Sequence, residues 1–380
     1  MVVLHSLPAW LPLTENWIYY QLHSLPPSIE NHIACQKVEN LDQYGVPHIH
    51  AFRAGSPVLS FLKRLINGAY GYPLFVAEIL KKSRAEILHS HFGNVAWSNL
   101  KASKHAKKHV AAFYGYDVNY LPVSLPIWVE RYRELFEEVD GVLCEGSQMA
   151  QSLVRLGCPH EKIHVHHLGV VLDEISFRPR TWNPSERLRV LMAASFQEKK
   201  GIPDALKALA SIREKIPVEI TLIGDANREE RSQKEKNRIL ETISNCDLKN
   251  NIHLLGYQPR CILFEEAYRH HIFLASSRTA SDADTEGGLP VVLLEMMASG
   301  MPVVSTRHCD IPDAVQHEKT GLLSKEGDIQ GIASNVLWWA SHPERWLDIL
   351  GTARRHIEDQ YDVRKQGVKL GQIYDELLRL

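Results

Sequence analysis

The sequence lacks the features that mark several large classes of protein. Its six cysteines include no CxxC pair, which argues against a zinc ribbon or a redox-active dithiol. It has no run of about 18 apolar residues, so no segment is predicted to span a membrane. The net charge of −2 provides none of the positive excess that nucleic-acid binding normally requires. These absences leave an ordinary globular protein, and its overall charge does not indicate a partner.

The N-terminus shows no targeting signal. Residues Met1–His5 have no basic region before their short apolar run, so they do not form a signal peptide. Several cysteines lie within apolar runs, as in Val142-Leu143-Cys144, and they are predicted to be buried thiols in a reducing compartment. We therefore predict a cytoplasmic location.

What the sequence does contain is a regular alternation of short β-branched runs and longer amphipathic segments. This alternation predicts an α/β protein made of right-handed βαβ units, with parallel sheets covered on both faces. The predicted strands are 2–7, 31–36, 48–52, 85–91, 110–114, 141–145, 162–166, 188–194, 218–224, 251–255, 272–276, 302–306 and 320–323. The predicted helices are 57–82, 94–108, 127–138, 147–156, 202–215, 228–246, 262–270, 289–299, 328–360 and 363–378.

The length of the chain predicts two domains. A single core rarely grows beyond roughly 250–300 residues, and this chain has 380. Residues Phe177–Ser185 are polar, contain two prolines and interrupt the alternation, so we interpret them as a linker. The predicted Rossmann-like domains are residues 1–183 and 184–361.

The most informative stretch is Asp284–Val304, in which glycines precede a proline. Pro290 suits the first turn of a helix, where its missing N–H is not needed, and Gly300 and Pro302 are placed to end that helix. The glycines leave backbone amides open at the helix N-terminus. Such a turn favours an anion, typically a phosphate.

Glu295 lies inside this otherwise apolar helix, where an unpaired carboxylate would be costly. Two interpretations are open from the local pattern. The carboxylate accepts hydrogen bonds from the two hydroxyls of a ribose, or it pairs with a neighbouring cation in a purely structural helix.

The segment Asp284–Val304 resembles the signature of the retaining family-4 glycosyltransferases, in particular those that build polysaccharides such as colanic acid. The resemblance implies the GT-B fold, with two Rossmann-like domains whose parallel sheets face each other across a cleft, and a C-terminal helix, residues 362–380, that packs back on the first domain. It implies transfer of a sugar, with retention, from a UDP- or GDP-linked sugar to a sugar hydroxyl. No metal or other cofactor is expected.

The family has two glutamates separated by seven residues, the first beside the transferred sugar and the second on the nucleotide ribose. Glu286 and Glu295 are separated by eight residues, and the family spacing would fall on Gly287. We expect the extra glycine to be absorbed in the turn. The resemblance further implies that the amides of Gly287, Gly288 and Leu289 meet the phosphate or sugar of the donor.

Residues Ser195–Gly201 resemble the family turn that contains an arginine and ends in Glu-Lys-Gly. Lys200 matches the lysine that neutralises the donor diphosphate, a strong charge-assisted contact. Without the family context, a solvated lysine at a helix start is an equally good interpretation. Ser195 occupies the family's arginine position, so a cation from elsewhere is expected to contribute there.

The predicted acceptor-binding residues follow strands of the first domain: Glu15, Asn16, His91, Tyr114 and Asp117. Many relatives place a histidine where this chain has Tyr114, and a tyrosine is a poor proton acceptor near neutral pH, so no general base is assigned. A structural histidine at 91 and a turn-capping aspartate at 117 are equally open interpretations. Glu15 and Asn16 stand where the family often has a glycine-rich loop.

Two further patterns each leave a choice open. The pairs His48-Ile49-His50 and His89-Ser90-His91 each place two imidazoles on one strand face, but no third ligand is identifiable, so no metal is predicted. A basic segment suits either a solvated helix face or peripheral contact with the inner face of the cytoplasmic membrane, where a lipid-linked saccharide acceptor would lie. Its basic residues are Lys101, Lys104, Lys107 and Lys108.

Other functions remain open. A nucleotide-sugar epimerase or a phosphorylase of the same fold, or a catalytically silent nucleotide-sugar-binding protein, would share these motifs, since fold alone does not decide function. An NAD-dependent oxidoreductase is disfavoured because no GxGxxG follows the first strand.

Overall fold

The computed structural model describes residues 1–12, 15–52 and 71–380. These residues form two compact units, one made of residues 1–169 together with 363–380 and the other of residues 170–362. Each unit is built on a single parallel sheet, with seven described strands in the first and six in the second. The expected α/β architecture with two Rossmann-like domains is confirmed.

The first sheet has the strand order β3-β2-β1-β4-β5-β6-β7. Its strands are β1 (Val2–Trp10), β2 (Glu30–Val38), β3 (Ile49–Ala51), β4 (Ile87–His91), β5 (Lys108–Ala112), β6 (Gly141–Cys144) and β7 (Ile163–Val165). The order reverses between β1 and β4, and the carboxyl ends of strands at such a switch point form the usual ligand site of this architecture.

The helices of the first unit cover its sheet, and the last of them comes from the C-terminus. Leu370, Tyr374 and Leu377 of this helix pack in one apolar cluster with Val3 of β1 and Ile87 of β4. The return of the C-terminal helix to the first domain is therefore confirmed. The helices are Trp17–His23, Gly71–Ser83, Gly93–Ser98, Leu100–Ser103, Leu121–Ser124, Ile127–Glu138, Ser147–Arg155 and Val363–Arg379.

The second sheet has the order β10-β9-β8-β11-β12-β13, with its switch point between β8 and β11. Its strands are β8 (Leu188–Ala193), β9 (Val218–Ile223), β10 (Ile252–Gly256), β11 (Ile272–Ala275), β12 (Val303–Thr306) and β13 (Leu322–Ser324). Its helices are Ile202–Ile212, Glu230–Asn245, Arg260–Arg269, Val291–Ala298, Ile311–Ala314, Ile329–Ser341 and Trp346–Gln360.

All thirteen predicted strands are present. Residues 57–70 of the predicted helix 57–82 lie outside the described residues, and the remainder is helical. Two other predicted helices differ. The predicted helix 94–108 is two short helices that end at Ser103. The predicted helix 328–360 is interrupted at Pro343, whose ring and missing N–H are incompatible with a helix interior.

The early end of the second of these short helices changes the interpretation of the basic segment. Lys107 pairs with Glu86 at 2.8 Å, and Lys108, in β5, pairs with Asp140 at 3.0 Å. The four lysines therefore do not form one basic helix face, and two of their charges are balanced locally.

The boundary between the units falls between Gly169 and Val170, earlier than the predicted 183/184, and the chain returns at Val363 rather than at 362. The reason is that the segment after Val170 is buried in the second unit. Val170 and Leu172 join its apolar core, and Arg180 donates to the carbonyl oxygens of Ala267 and Ser299. Within the segment interpreted as a linker, Arg180 and Trp182 are buried in the second unit, whereas most of the other residues are exposed.

Candidate active site

Lys200 and Glu286 form an ion pair at the carboxyl edge of the second sheet. Lys200 lies in the loop after β8 and Glu286 in the loop after β11. Nζ of Lys200 is 2.6 Å from Oε2 of Glu286, and the hydroxyl of Ser277 donates to Oε1 at 2.6 Å. The two side chains of the pair are only 19% and 6% exposed. The structure thus brings together the two residues predicted to be catalytic.

The carboxyl group of Glu286 is held in its charged form. Burial raises its pKa, but the charges of Lys200 and Lys199 and the hydrogen bonds from Lys200 and Ser277 outweigh burial and lower the pKa to about 2. Glu286 therefore stays a carboxylate throughout the neutral range and keeps the Lys200 ammonium at a fixed place.

A second lysine fixes the chain that leads into Glu286. Nζ of Lys199 is 3.1 Å from Oδ1 of Asp284 and donates to the carbonyl oxygen of Thr285 at 3.0 Å. Arg231 donates to the other carboxylate oxygen of Asp284 at 3.3 Å. The segment that leads into Glu286 is therefore held by the loop after β8 and by the helix Glu230–Asn245.

His308 and Glu326 position Glu286 through its backbone. The amide of Glu286 donates to Nε2 of His308 at 3.1 Å, and Nδ1 of His308 lies 2.7 Å from Oε1 of Glu326. These partners indicate a neutral ring protonated on Nδ1. Neither residue was predicted from the sequence to belong to the site. The available signal was that His308 follows β12 and Glu326 follows β13, whose carboxyl ends lie at the same edge.

The glycine-rich turn leads into the helix Val291–Ala298. Gly287 has a φ of +80°, in the left-handed region that favours glycine, and Pro290 stands at the helix N-cap position. The amide of Gly287 donates to Oγ1 of Thr285 at 3.1 Å, so this amide is engaged within the turn. The contacts predicted for the amides of Gly288 and Leu289 with a donor stay predictions.

Glu295 pairs with Arg260, which the sequence analysis did not single out. Nε of Arg260 is 2.9 Å from Oε1 of Glu295, and Nη1 of Arg260 lies 2.7 Å from Glu174. Burial raises the pKa of Glu295, and the charge of Arg260 opposes that rise. The structure therefore shows the cation-paired arrangement at Glu295. Arg260 begins the helix after β10, so its position at this edge was a usable signal.

Ser195 brings no charge to the place where the family has an arginine. It is half-buried, and its carbonyl oxygen accepts from the amide of Gln197. A cavity of about 30 Å³ in this unit touches Lys200 and Glu286, and another of about 340 Å³ is lined by residues that include Lys199 and Arg231.

In the first unit, His91 and Tyr114 are hydrogen-bonded to each other. His91 ends β4 and is fully buried, and its Nδ1 lies 2.7 Å from the hydroxyl of Tyr114. The ring of Trp17 packs on Tyr114 with 4.4 Å between centroids. Tyr114 also lines a small cavity with Glu145 and His166. This places Tyr114 between the buried sheet face and an accessible edge.

Asp117 caps a turn with its carboxylate. It accepts from the amides of Gly93 at 2.7 Å, Tyr114 at 3.0 Å and Gly115 at 3.1 Å. Burial raises its pKa to about 6 although these hydrogen bonds lower it. The structure therefore shows the turn-capping role, in which both carboxylate oxygens are engaged.

Glu15 and Asn16 lie between β1 and the helix Trp17–His23, which the sequence analysis did not predict. Burial, with a smaller contribution from the charge of Glu39, raises the pKa of Glu15 to about 7. The carbonyl oxygen of Asn16 accepts from the amide of Tyr20 at 3.3 Å. An acceptor contact by either residue stays a prediction.

Two family models match the chain one after the other. The model described as Glycosyltransferase Family 4 matches residues 14–174, and the model described as Glycosyl transferases group 1 matches residues 173–356. The point where the two matches meet lies close to the observed boundary between the units.

Curated relatives cover most of the chain. The amylovoran biosynthesis glycosyltransferase AmsK of Erwinia amylovora is 30% identical over 331 residues, which are 83% of this chain and 78% of the relative. The putative colanic acid biosynthesis glycosyltransferase WcaL of Escherichia coli (strain K12) is 29% identical over 73% of this chain and 68% of its own length.

Solved structures of glycosyltransferases share the fold. A glycosyltransferase from Rickettsia africae has a TM-score of 0.77 at 19% identity and covers 100% of this chain and 98% of its own. HepE of Anabaena in complex with UDP has a TM-score of 0.78 at 17% identity and covers 100% of both chains. At this level of identity the likeness supports the fold. None of the helices within the described ranges has the length and apolarity needed to cross a membrane.

Proposed function

The chain belongs to the family-4 glycosyltransferases of the GT-B fold and is a glycosyltransferase of polysaccharide biosynthesis, and on this premise we propose its donor, its stereochemistry and the roles of its residues. The donor is a nucleotide diphosphate sugar, the acceptor is a sugar hydroxyl, and the transferred sugar keeps its anomeric configuration. UDP-sugars are the first donors to test, because related solved structures hold UDP and UDP-glucose.

The observation that carries the proposal is the buried pair of Lys200 and Glu286. A cation already fixed at the strand edge stabilises the charge that develops on the leaving diphosphate without having to reorganise, and such preorganised charge is often the largest contribution to catalysis. In this proposal Lys200 takes the role that a metal ion has in other enzymes, so transfer is metal-independent.

The remaining roles belong to residues of the other loops at the carboxyl edge of the second sheet. Glu286 orients the transferred sugar, the amides of Gly288 and Leu289 meet the diphosphate, and Glu295 accepts from the ribose hydroxyls while Arg260 holds one of its carboxylate oxygens. Ser195 occupies the position of the family's arginine and carries no charge. Arg260 is also the candidate to supply that positive charge.

The acceptor side supplies contacts rather than a base. Burial raises the pKa of Tyr114 well above its ordinary value, so its hydroxyl stays protonated and serves as a hydrogen-bond partner for an acceptor sugar. The leaving phosphate then accepts the proton of the attacking acceptor hydroxyl, the new glycosidic bond forms to that oxygen, and the bond from sugar to phosphate breaks.

We further propose that the enzyme acts in the cytoplasm on a lipid-linked or free saccharide acceptor. All six cysteines lie in the described ranges as thiols without disulfide bonds, which suits a reducing compartment. The local pairing of Lys107 and Lys108 reduces the support for a basic membrane-facing helix.

The experiment is a binding panel followed by product analysis. The thermal midpoint is measured with UDP, GDP, dTDP, CMP and NAD, each with and without magnesium; a ligand at about 100 times its Kd adds roughly 2.7 kcal/mol. We expect one nucleoside diphosphate to raise the midpoint independently of magnesium, and its sugar conjugates then to yield an α-linked product from an α-linked donor. Stabilisation by NAD alone, an inverted product, or an epimerised donor without acceptor would overturn the proposal.

A further inference from the structure

Three buried histidines of the first unit lie together although they are distant in sequence. His89 and His91 point to the same face of β4, and the pairing of β1 with β4 places His5 directly opposite His89. All three are fully buried, and one ligand nitrogen of each ring lies within 4.8 Å of those of the other two. The sequence analysis found only two of these residues because strand pairing supplies the third.

Each ring has one nitrogen that bonds outward, away from the other two rings. Nδ1 of His89 bonds the hydroxyl of Tyr374 at 2.6 Å. The other outward bonds are from Nε2 of His5 to Oδ1 of Asn31 at 3.1 Å and from Nδ1 of His91 to the hydroxyl of Tyr114 at 2.7 Å. Outer hydrogen bonds of this kind orient metal-binding histidines and leave the inner nitrogen as a lone pair.

The inner nitrogens of His5 and His91 face each other. Nδ1 of His5 is 3.1 Å from Nε2 of His91. Nε2 of His89 is buried and has no hydrogen-bond partner in the described part of the chain. A chain of hydrogen bonds from Tyr114 through His91 to His5 accounts for two of the three rings, but it leaves this nitrogen of His89 unsatisfied.

We propose that His5, His89 and His91 bind a transition-metal ion, with Zn²⁺ as the probe. Zinc–nitrogen bonds of about 2.0–2.1 Å set the nitrogens of a tetrahedral site roughly 3.3 Å apart. The 3.1 Å separation of the nitrogens of His5 and His91 fits this value. The ring of His89 stacks on that of His91 with 4.3 Å between centroids and 10° between planes, so it must rotate for its nitrogen to point at the same ion. Imidazole ligands without a carboxylate favour zinc or copper over magnesium or calcium.

With three imidazole ligands the proposed ion takes a water molecule as its fourth ligand, and its role is to link elements of the fold. It would cross-link β1 to β4, and through Tyr374 it would connect both strands to the C-terminal helix Val363–Arg379. The residues that hold it belong to the first unit, whereas Lys200 and Glu286 belong to the second, so the inference does not depend on the proposed donor chemistry.

The test is a stoichiometric metal titration of the full-length protein. Protein stripped with a chelator is titrated with Zn²⁺ against a chromophoric indicator, and Co²⁺ is added separately to record the absorption spectrum of a nitrogen-ligated ion. We expect one equivalent to bind the wild-type chain, and His89→Gln to weaken binding at least 100-fold. The matched control is His48→Gln, because Glu30, His32 and His48 form a second, more exposed group of possible ligands; it should leave the affinity unchanged.

The wild-type titration decides the inference even if His89→Gln fails to fold. Failure of the wild-type chain to bind one equivalent at micromolar Zn²⁺ would overturn it. So would loss of binding in His48→Gln alone, or unchanged binding in a folded His89→Gln protein. A rise in the thermal midpoint of the wild-type protein on adding Zn²⁺, absent from folded His89→Gln protein, would support it.

Discussion

The carboxyl edges of the two sheets have the same topology but opposite electrostatic character. In the first unit burial shifts the pKa of such groups toward the neutral form: it lowers the pKa of His166 to about 4 and raises the pKa of Glu15 to about 7. In the second unit buried charges persist in pairs, as in Lys200 with Glu286, whose pKa is about 2. The two edges differ in whether the loop after a neighbouring strand supplies a side chain of opposite charge to the buried ionisable group.

Under the proposed function, this difference explains how one architecture would serve two kinds of ligand. A neutral sugar hydroxyl is best met by neutral hydrogen-bonding groups, because an unpaired charge at a buried edge would cost desolvation energy. A diphosphate needs a cation, and a cation remains charged at a buried edge when a carboxylate fixes it. In the proposed function the first edge would therefore bind the acceptor and the second edge the donor.

We expect the largest effect from removing the cation at the edge of the second sheet, Lys200. We expect Lys200→Met to lower kcat/KM about 10³-fold, because the diphosphate loses its fixed positive charge, while Lys200→Arg retains part of the activity. Initial rates with the donor identified by the binding panel measure the effect.

Lys207, an exposed lysine of the helix Ile202–Ile212, gives the matched control, and Lys207→Met should be as active as the wild type. Circular dichroism checks that both variants are folded. Near-normal turnover by folded Lys200→Met protein would remove the central support for the proposed mechanism.

The pair of Glu295 and Arg260 tests whether a paired charge at this edge binds ligand or only stabilises the fold. We expect Glu295→Ala to raise the donor KM about 10²-fold, because a ribose contact contributes to ground-state binding. Arg260→Met should raise the donor KM less and lower the thermal midpoint more, since it leaves a buried carboxylate without its partner. Equal, small effects of both variants on KM would indicate a purely structural pair.

The sequence predicted the strands and the central motif well because both are local. Buried parallel strands are continuous β-branched runs, and the turn before Pro290 carries its glycines within a few residues. The partners of the motif were missed, because His308 and Arg260 reach it from loops after other strands. His5 was missed because only strand register places it beside His89, and the boundary at Gly169 was missed because the burial of the following segment depends on distant residues.

His308 tests whether indirect positioning matters at the charged edge. We expect His308→Ala to lower kcat about tenfold with little change in the donor KM, because the Glu286 amide loses its acceptor while the Lys200 pair remains. His308→Gln should restore part of kcat, since its side-chain oxygen can take the place of Nε2. A loss shared equally by His308→Ala and His308→Gln would count against a role for this hydrogen bond.

The smallest effect concerns stability, and its sign differs between the two edges. The pKa of Glu286 is lowered from 4.5 to about 2 on folding. The stabilisation that this shift adds to the free energy of unfolding is therefore present above pH 4.5 and is lost as the pH falls through about 2. The pKa of Glu15 is raised from 4.5 to about 7, so its contribution is present below pH 4.5 and is lost as the pH rises through 7.

Glu15→Gln should therefore increase the free energy of unfolding at pH 8 by about 1 kcal/mol, after allowing for partial exposure, and change it little at pH 4. Glu286→Gln should decrease the free energy of unfolding at pH 8 and flatten its fall below pH 4.5. Urea titrations at pH 4, 6 and 8 measure how the free energy of unfolding of each variant changes with pH. If Glu15→Gln destabilised the protein at pH 8, the carboxylate would be paired at that edge, and the electrostatic contrast between the two sheets would fail at this residue.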